Sequence, residues 1–196
     1  MTFTELCAEV YILTGRPDYV AGTESAVKSA TLKCHQTDYY YKDMFESGIA
    51  FDTSAYVQNL DYRTLLPRWR ALKYLRKYDN STGTPGIELS IILPDNVFDS
   101  YSLQKSDICY VAGSNVQINS STQDQYYLLG CYLNPDITSA GYTSWIALDH
   151  PYAIIFDATA TVFKLIGKDE EAAALRTLVT EQIGMIKMSN IDATGY

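Results

Sequence analysis

The sequence predicts an α+β fold: a four-helix bundle built from both chain ends, with an inserted antiparallel β-sheet region. Three observations predict it. Apolar residues recur at helical spacing near both ends of the chain. The stretch 49–133 changes to short runs rich in Tyr, Ile, Val and Leu, separated by turn residues such as Asn80-Ser81-Thr82-Gly83 and Ala112-Gly113-Ser114-Asn115. The last two helical stretches are joined only by Gly167, Lys168 and Asp169, which makes them a helical hairpin.

Taken in order, Leu6, Val10 and Leu13 mark a first helix, with Thr2 and Glu5 spaced as a capping box and Gly15-Arg16-Pro17-Asp18 ending it. A second helix is expected over 24–47, with Val27, Ala30, Cys34, Tyr41 and Phe45 inward and Gly48 as its stop. Strands are expected at 50–57, 68–78, 87–93, 108–111, 115–119 and 126–133. The stretch 68–78 also fits a helical face through Trp69, Leu72 and Leu75, with Pro67 at its start; a strand is the favoured reading. A third helix opens at Asp149-His150-Pro151, buries Ile154, Ile155, Ala158, Val162 and Leu165, and closes at Gly167. The fourth begins at Lys168, with Asp169, Glu170 and Glu171 in its first turn, carboxylates that suit a helix N-terminus, and carries a stripe of Leu175, Leu178, Val179, Gln182, Ile183 and Ile186. The expected organisation is one domain over 1–196: helices within 1–48 and 150–188, a β-rich insertion at 49–133, and an irregular tail at 189–196 that lacks apolar periodicity.

Composition narrows the function classes. The chain has 196 residues, of which 15 are Lys or Arg and 23 are Asp or Glu, a formal charge of −8. That balance argues against broad, non-specific nucleic-acid binding, which depends on neutralising phosphates. The charge is uneven, because Arg63, Arg68, Arg70, Lys73, Arg76 and Lys77 crowd one short stretch that is either a local basic patch for an acidic partner or the solvated side of one element. No run approaches the roughly 18 apolar residues of a membrane span, and Met1-Thr2-Phe3-Thr4-Glu5 does not read as a secretory signal, so a soluble, unexported chain is expected. Cys7, Cys34, Cys109 and Cys131 are scattered and could pair in three ways, but nothing signals an oxidising compartment, and buried free thiols are expected. The 17 tyrosines, against 6 phenylalanines and 2 tryptophans, suit surfaces that become buried on association.

Chemistry is sparse. Of the two histidines, His35 lies beside Cys34 on a helix, where neighbours in sequence point about 100° apart, and His150 precedes a proline at a helix start, where capping explains it. Asp79, Asp95, Asp99, Asp136, Asp149 and Asp169 fall in turns and caps, their ordinary structural places. Asp169, Glu170 and Glu171 read either as an acidic metal site or as carboxylates serving the helix dipole. Phosphate-loop, dinucleotide, zinc-protease and serine-elbow motifs are absent. Trp69 and Trp145 are either stacking platforms for sugars or bases, or core residues.

The order of segments carries a resemblance. The capped helix, the long helix, a β region containing Leu66-Pro67-Arg68-Trp69-Arg70-Ala71-Leu72-Lys73-Tyr74-Leu75, the strand Tyr126-Tyr127-Leu128-Leu129-Gly130-Cys131-Tyr132-Leu133 and the two-helix end resemble the head-to-tail adaptor proteins of tailed bacteriophages, especially short-tailed ones. Most telling is Ser144-Trp145-Ile146-Ala147-Leu148-Asp149-His150-Pro151-Tyr152-Ala153-Ile154-Ile155-Phe156, followed by the Gly167-Lys168-Asp169-Glu170-Glu171-Ala172 turn. The resemblance covers nearly the whole chain. It implies a non-enzymatic virion protein assembled in the host cytoplasm: a homo-oligomeric ring, commonly of twelve copies, between the portal protein and the tail nozzle or tail tube, with genomic DNA passing through its lumen. It carries over no catalytic residue, and the residues themselves lead to no expectation of a cofactor, a metal or a membrane. Arg68, Arg70, Lys73, Ile191 and Tyr196 are the candidate partner-contact residues. A carbohydrate-binding or host-surface recognition module is the alternative that the aromatic β region suggests, and an enzyme using His35 or His150 is a further one.

Overall fold

The computed structural model describes residues 1–46, 50–53, 57–79, 81–98, 103, 105–122 and 125–194. The chain divides into two compact units. One combines Met1–Asp43 with Asn134–Tyr196; the other is Met44–Leu133.

The first unit is helical. Helix α1 (Phe3–Thr14) starts at the Thr2/Glu5 capping box, with both reciprocal bonds formed, and ends at Gly15 in the left-handed conformation. It buries Phe3, Leu6, Cys7, Val10 and Thr14, while Leu13 faces outward. Helix α2 (Val20–Gln36) buries Val27, Ala30, Thr31, Cys34 and His35. It is shorter than expected. The Thr37 hydroxyl donates to Cys34 O at 2.7 Å and also lies 2.6 Å from the Tyr40 hydroxyl, so the chain leaves the helix axis and buries Tyr40. Tyr41–Asp43 then form a 3₁₀ turn with Tyr41 exposed, and Met44–Phe45 are already a strand; the expected stop at Gly48 lies outside the described residues.

After the β unit come α4 (Trp145–Asp149), α5 (Pro151–Leu165) and α6 (Asp169–Thr194), the short α3 (Tyr62–Leu65) being in the β unit. Helix α5 is the centre of the helical core. It buries Ala153, Ile154, Ile155, Asp157, Ala158, Thr159, Ala160 and Val162, and it packs against α1, α2, α4 and α6. The four-helix bundle expected from the sequence does not form. A fifth helix, α4, enters the unit, and α6 packs chiefly on α5 instead of closing a square of neighbours. The reason lies in the α6 stripe: among its residues with described side chains, Ala172, Val179 and Ile186 are the buried ones, a narrow seam at seven-residue spacing, and Leu178 stays 40% exposed. Helix α6 also continues to Thr194, through six residues expected to be irregular; Tyr196 lies outside the described residues.

The second unit contains two sheets where one antiparallel sheet was expected. The larger has strand order β1 (Met44–Phe45), β9 (Gln125–Leu133), β4 (Trp69–Asp79), β5 (Thr84–Glu88), with β2 (Ala50–Thr53) also paired to β9. The smaller has the order β3 (Val57–Asp61), β8 (Asn115–Asn119), β7 (Ile108–Ala112), β6 (Ser90–Ile91). The stretch 50–57, read as one strand, contributes β2 to one sheet and the start of β3 to the other. Likewise 87–93 splits between β5 and β6, because buried Leu89 turns the chain inward between two exposed segments. The β6–β7 pair is parallel. Leu75, Leu89, Cys109, Val116, Ile118, Tyr127, Leu129 and Cys131 form this unit's core.

Where β4 crosses β9, Tyr74 sits opposite Gly130, and a Cβ at Gly130 would lie 2.4 Å from atoms of the Tyr74 ring. Only a residue without a side chain lets this buried ring lie against the neighbouring strand. Gly130→Ala is therefore expected to lower stability by about 1–3 kcal/mol, read as a lower urea midpoint with an unchanged m-value.

Candidate functional site

The most organised polar group in the helical unit forms around His35, in the last turn of α2. The 3₁₀ turn brings Asp43 back so that its Oδ1 lies 2.8 Å from His35 Nδ1. From 109 residues away, Ser144 places its Oγ 2.9 Å from His35 Nε2. The neighbouring Trp145 donates its indole N–H to the same Asp43 oxygen at 2.7 Å. The ring therefore bridges the Asp43 carboxyl group at Nδ1, where its N–H can donate, and the Ser144 hydroxyl at Nε2. All three triad-like side chains are buried: His35 is 1% exposed, and Asp43 and Ser144 are 8% exposed.

Aromatic and cationic contacts fix this group. Tyr40 meets Trp145 edge-to-face with ring centroids 5.2 Å apart, and His35 meets it similarly at 5.7 Å. The Lys42 ammonium lies 5.0 Å over the Trp145 ring and 2.6 Å from Asp149 Oδ2. Behind it, Tyr142 is 2.7 Å from Thr31 Oγ1, whose own hydroxyl donates to Val27 O, so the phenol supplies the proton to Thr31. Burial pushes the Tyr142 phenol above its ordinary range, the Thr31 and Ser144 bonds opposing. Lys33 crosses to the buried Asp157 of α5 at 2.5 Å.

Ser144 and Trp145 also line a cleft of about 680 Å³ together with Phe3, Tyr142, Thr143 and Leu148. The arrangement has the spacing of a Ser-His-Asp nucleophile system. Its serine already has a structural duty, however. Ser144 is the N-cap of α4 and accepts the Ala147 N–H at 3.1 Å, which holds its oxygen on the helix end.

His150, expected as a side-chain cap, makes no such bond; its backbone ends α4 and starts α5, so it is a corner between two helices. Asp169, Glu170 and Glu171 are exposed in the first turn of α6, and among the described residues no three His, Cys, Asp or Glu side chains gather as a metal site. Nor is any helix among them long and apolar enough to cross a membrane. All four cysteines are free and buried, and desolvation pushes Cys34 and Cys109 up to about 12 and Cys7 and Cys131 up to about 11. Trp69 is half-buried and stacked on Tyr62 at 4.6 Å.

Two residues of the basic stretch are paired within the β unit. Arg76 pairs with Glu88 at 3.2 Å and lies over the Tyr74 ring, and Lys77 pairs with Asp107 at 2.7 Å. Arg63, Arg68 and Lys73 are exposed, and Arg70 is half-buried on β4. Of the other candidate contact residues, Ile191 belongs to α6, in the helical unit. Asp43 and Ser144 escaped the sequence reading. A helix drawn through residue 47 places Asp43 two turns, about 12 Å, along from His35, and Ser144 has no sequence-local link to either. The usable signal was the Thr37-Asp38 pair, a break-prone dipeptide inside the assumed helix.

No protein-family model matches the chain, and no curated protein matches it in sequence.

Removing the Asp43 carboxylate strands two buried N–H donors, so Asp43→Ala is expected to cost on the order of 3 kcal/mol. Ser144→Ala, which loses chiefly a helix cap, is expected to cost about 1 kcal/mol. Urea melts of the two variants give the ranking. The thiols give a pH dependence: their folded values lie above the ordinary 9.0, so the unfolded chain loses its thiol protons first as pH rises. Their contribution is complete below pH 9.0 and is lost as pH climbs towards 12. Thermal melts should fall across that window, and less steeply in Cys34→Ala.

Proposed function

We propose that the chain is a non-enzymatic structural subunit that assembles with copies of itself into a ring at the neck of a tailed phage particle. The ring joins the portal to the tail nozzle or tail tube and lets genomic DNA pass. The observation that carries this reading is the apolar surface of the β unit. Ile87, Ile91, Leu93, Phe98 and Leu103 are all exposed within one short stretch of chain, Ile87 to 73% and Leu93 to 68%. Single exposed apolar residues are ordinary, but five along one segment are more than scatter and suit a surface that another chain covers. In the helical unit, Leu178, Met185 and Met188 of α6 are exposed in the same way. The neck location is what the resemblance of the segment order adds. An acidic chain of net charge −8 suits a DNA channel, because carboxylates lining a lumen repel phosphates and let the duplex slide.

The spacing of Ser144, His35 and Asp43 beside a cleft favours a second reading, a serine hydrolase. It is the weaker one, since Ser144 is nearly buried and committed to the α4 cap. A fluorophosphonate probe separates the two: labelling lost in Ser144→Ala would favour the hydrolase, and an unlabelled wild-type chain the structural subunit.

The purified chain is expected to form closed rings in negative-stain images and a single high-mass species by light scattering. Imaging of the particle is expected to place those rings between portal and tail. A chain that stays monomeric at all accessible concentrations, or rings found elsewhere in the particle, would overturn the proposal.

A further inference from the structure

Helix α6 carries two rows of apolar side chains. Ala172, Val179 and Ile186 form the seam held against α5. The second row, Ala174, Leu178, Met185 and Met188, is exposed, Met188 to 68% and Met185 to 55%. Its steps are those of a heptad seam with one position missing, and Glu181 stands at that position. Glu170 lies on the same face, one turn before Ala174. From Glu170 to Met188 the face is about 27 Å long.

Charge decides what this face can receive. Glu170 and Glu181 are exposed within it, three helical turns and about 16 Å apart, and no Lys or Arg of α6 joins them. The two bases of the helix, Arg176 and Lys187, lie roughly 150° around it from the row. Elsewhere in the helical unit, Lys33 and Lys42 are paired with Asp157 and Asp149, and Lys168 lies over the Phe163 ring. That unit holds 14 Asp and Glu against 8 Lys and Arg. A second α6 is therefore a poor occupant. Laid parallel in register, or antiparallel about the middle of the row, two copies set Glu181 against Glu181, and like charges inside a helical seam repel. A helix with apolar side chains at the same spacing and bases three turns apart meets both the apolar row and the acids.

Two further observations fit such a guest. Gly184 lies in the helix interior on the edge of this face, where glycine weakens a helix. No described atom lies within 4 Å of where its Cβ would stand, so packing within the chain does not call for it; a bare position does let a second helix come close. The face is also held in place beforehand, by α5 along its length and by Tyr41 N donating to Asn190 Oδ1 at 3.1 Å near its end. Methionine side chains then adapt to the apolar surface they meet.

We propose that this face of α6 binds an amphipathic helix of another protein, whose apolar stripe packs on Leu178, Met185 and Met188 and whose Lys or Arg side chains pair with Glu170 and Glu181. The occupant is a basic helix and not a second copy, so the site goes beyond the self-assembly proposed above and does not depend on it.

Two synthetic helical peptides of about 20 residues, the length of the face, serve as probes. Both carry leucine at heptad spacing; one has lysines three turns apart beside that stripe, the other glutamates. In fluorescence anisotropy with the full chain, the lysine peptide is expected to bind at least about tenfold more tightly than the glutamate peptide, a preference that shrinks as salt is added. Glu170→Lys with Glu181→Lys is expected to reverse the preference, and Met185→Ser with Met188→Ser to weaken the lysine peptide about tenfold. All four positions are exposed, so the fold survives, as circular dichroism checks. Glu46→Lys with Asp95→Lys, at exposed positions of the β unit, makes the same change of net charge and is expected to leave the preference as it was. The proposal is overturned if the peptides bind alike or neither binds, if the α6 reversal leaves the preference intact, if the β-unit reversal abolishes it equally, or if the serine changes have no effect. Light scattering on the same samples keeps the two proposals apart. A monomeric chain that prefers the lysine peptide overturns only the self-assembly, and rings without that preference overturn only the helix site.

Discussion

The fold depends on the buried Asp43 carboxylate and the two N–H groups that converge on it. Asp43 is the last residue before the β unit, and its oxygen receives His35 from the end of α2 and Trp145 from the start of α4. A carboxylate withdrawn from water is tolerable only when charge-assisted hydrogen bonds replace its hydration. Those bonds hold the point where the chain leaves the helical unit beside the segment through which it returns. Within the β unit the same closure recurs: Met44 and Phe45 pair with Tyr132 and Cys131, so the two ends of a ninety-residue insertion lie on adjacent strands. An insertion whose ends are already together imposes little strain on its host, which is why a β-rich segment can interrupt a helical core.

The helical core is built around α5, whose small and branched residues are buried on most of its circumference. Small side chains let neighbouring helices approach closely, and Lys33 reaching Asp157 ties α2 to α5 at a polar point in that interface. Helix α6 has a different character. Its narrow seam of Ala172, Val179 and Ile186 secures it on one side and leaves Leu178, Met185 and Met188 facing outward. The helix thus buries one narrow stripe against α5 and keeps a second row of apolar side chains at the surface.

The His35 group illustrates how far geometry alone carries a functional argument. Distances of 2.8 and 2.9 Å in a Ser-His-Asp order meet the metric of a catalytic system. The serine's second bond, to Ala147 N, supplies a structural account of the same atoms. Because a nucleophile must be free to leave its ground-state partner, a serine that caps a helix gives up capping energy at each turnover. The cap and the burial together weigh toward a clamp.

By itself the sequence determined whatever depends on neighbours in the chain. The Thr2/Glu5 box, the Gly15 and Gly167 stops, the strand 115–119 and the Pro151 helix start all follow from local propensity and turn chemistry, and each stands where those residues put it. Tertiary structure alone decided what depends on distant partners. The helix read through residue 47 ends at Gln36 because burying Tyr40 against Trp145, over a hundred residues away, outweighs continued helical hydrogen bonding. The strands at 50–57 and 87–93 divide between sheets because alternation in sequence sets which side chains point inward, not which core receives them. For the same reason Asp43, read as part of a helix, and Ser144 carried no visible role: a polar side chain acquires its role from the groups the fold brings to it, and those groups were 8 and 109 residues from His35.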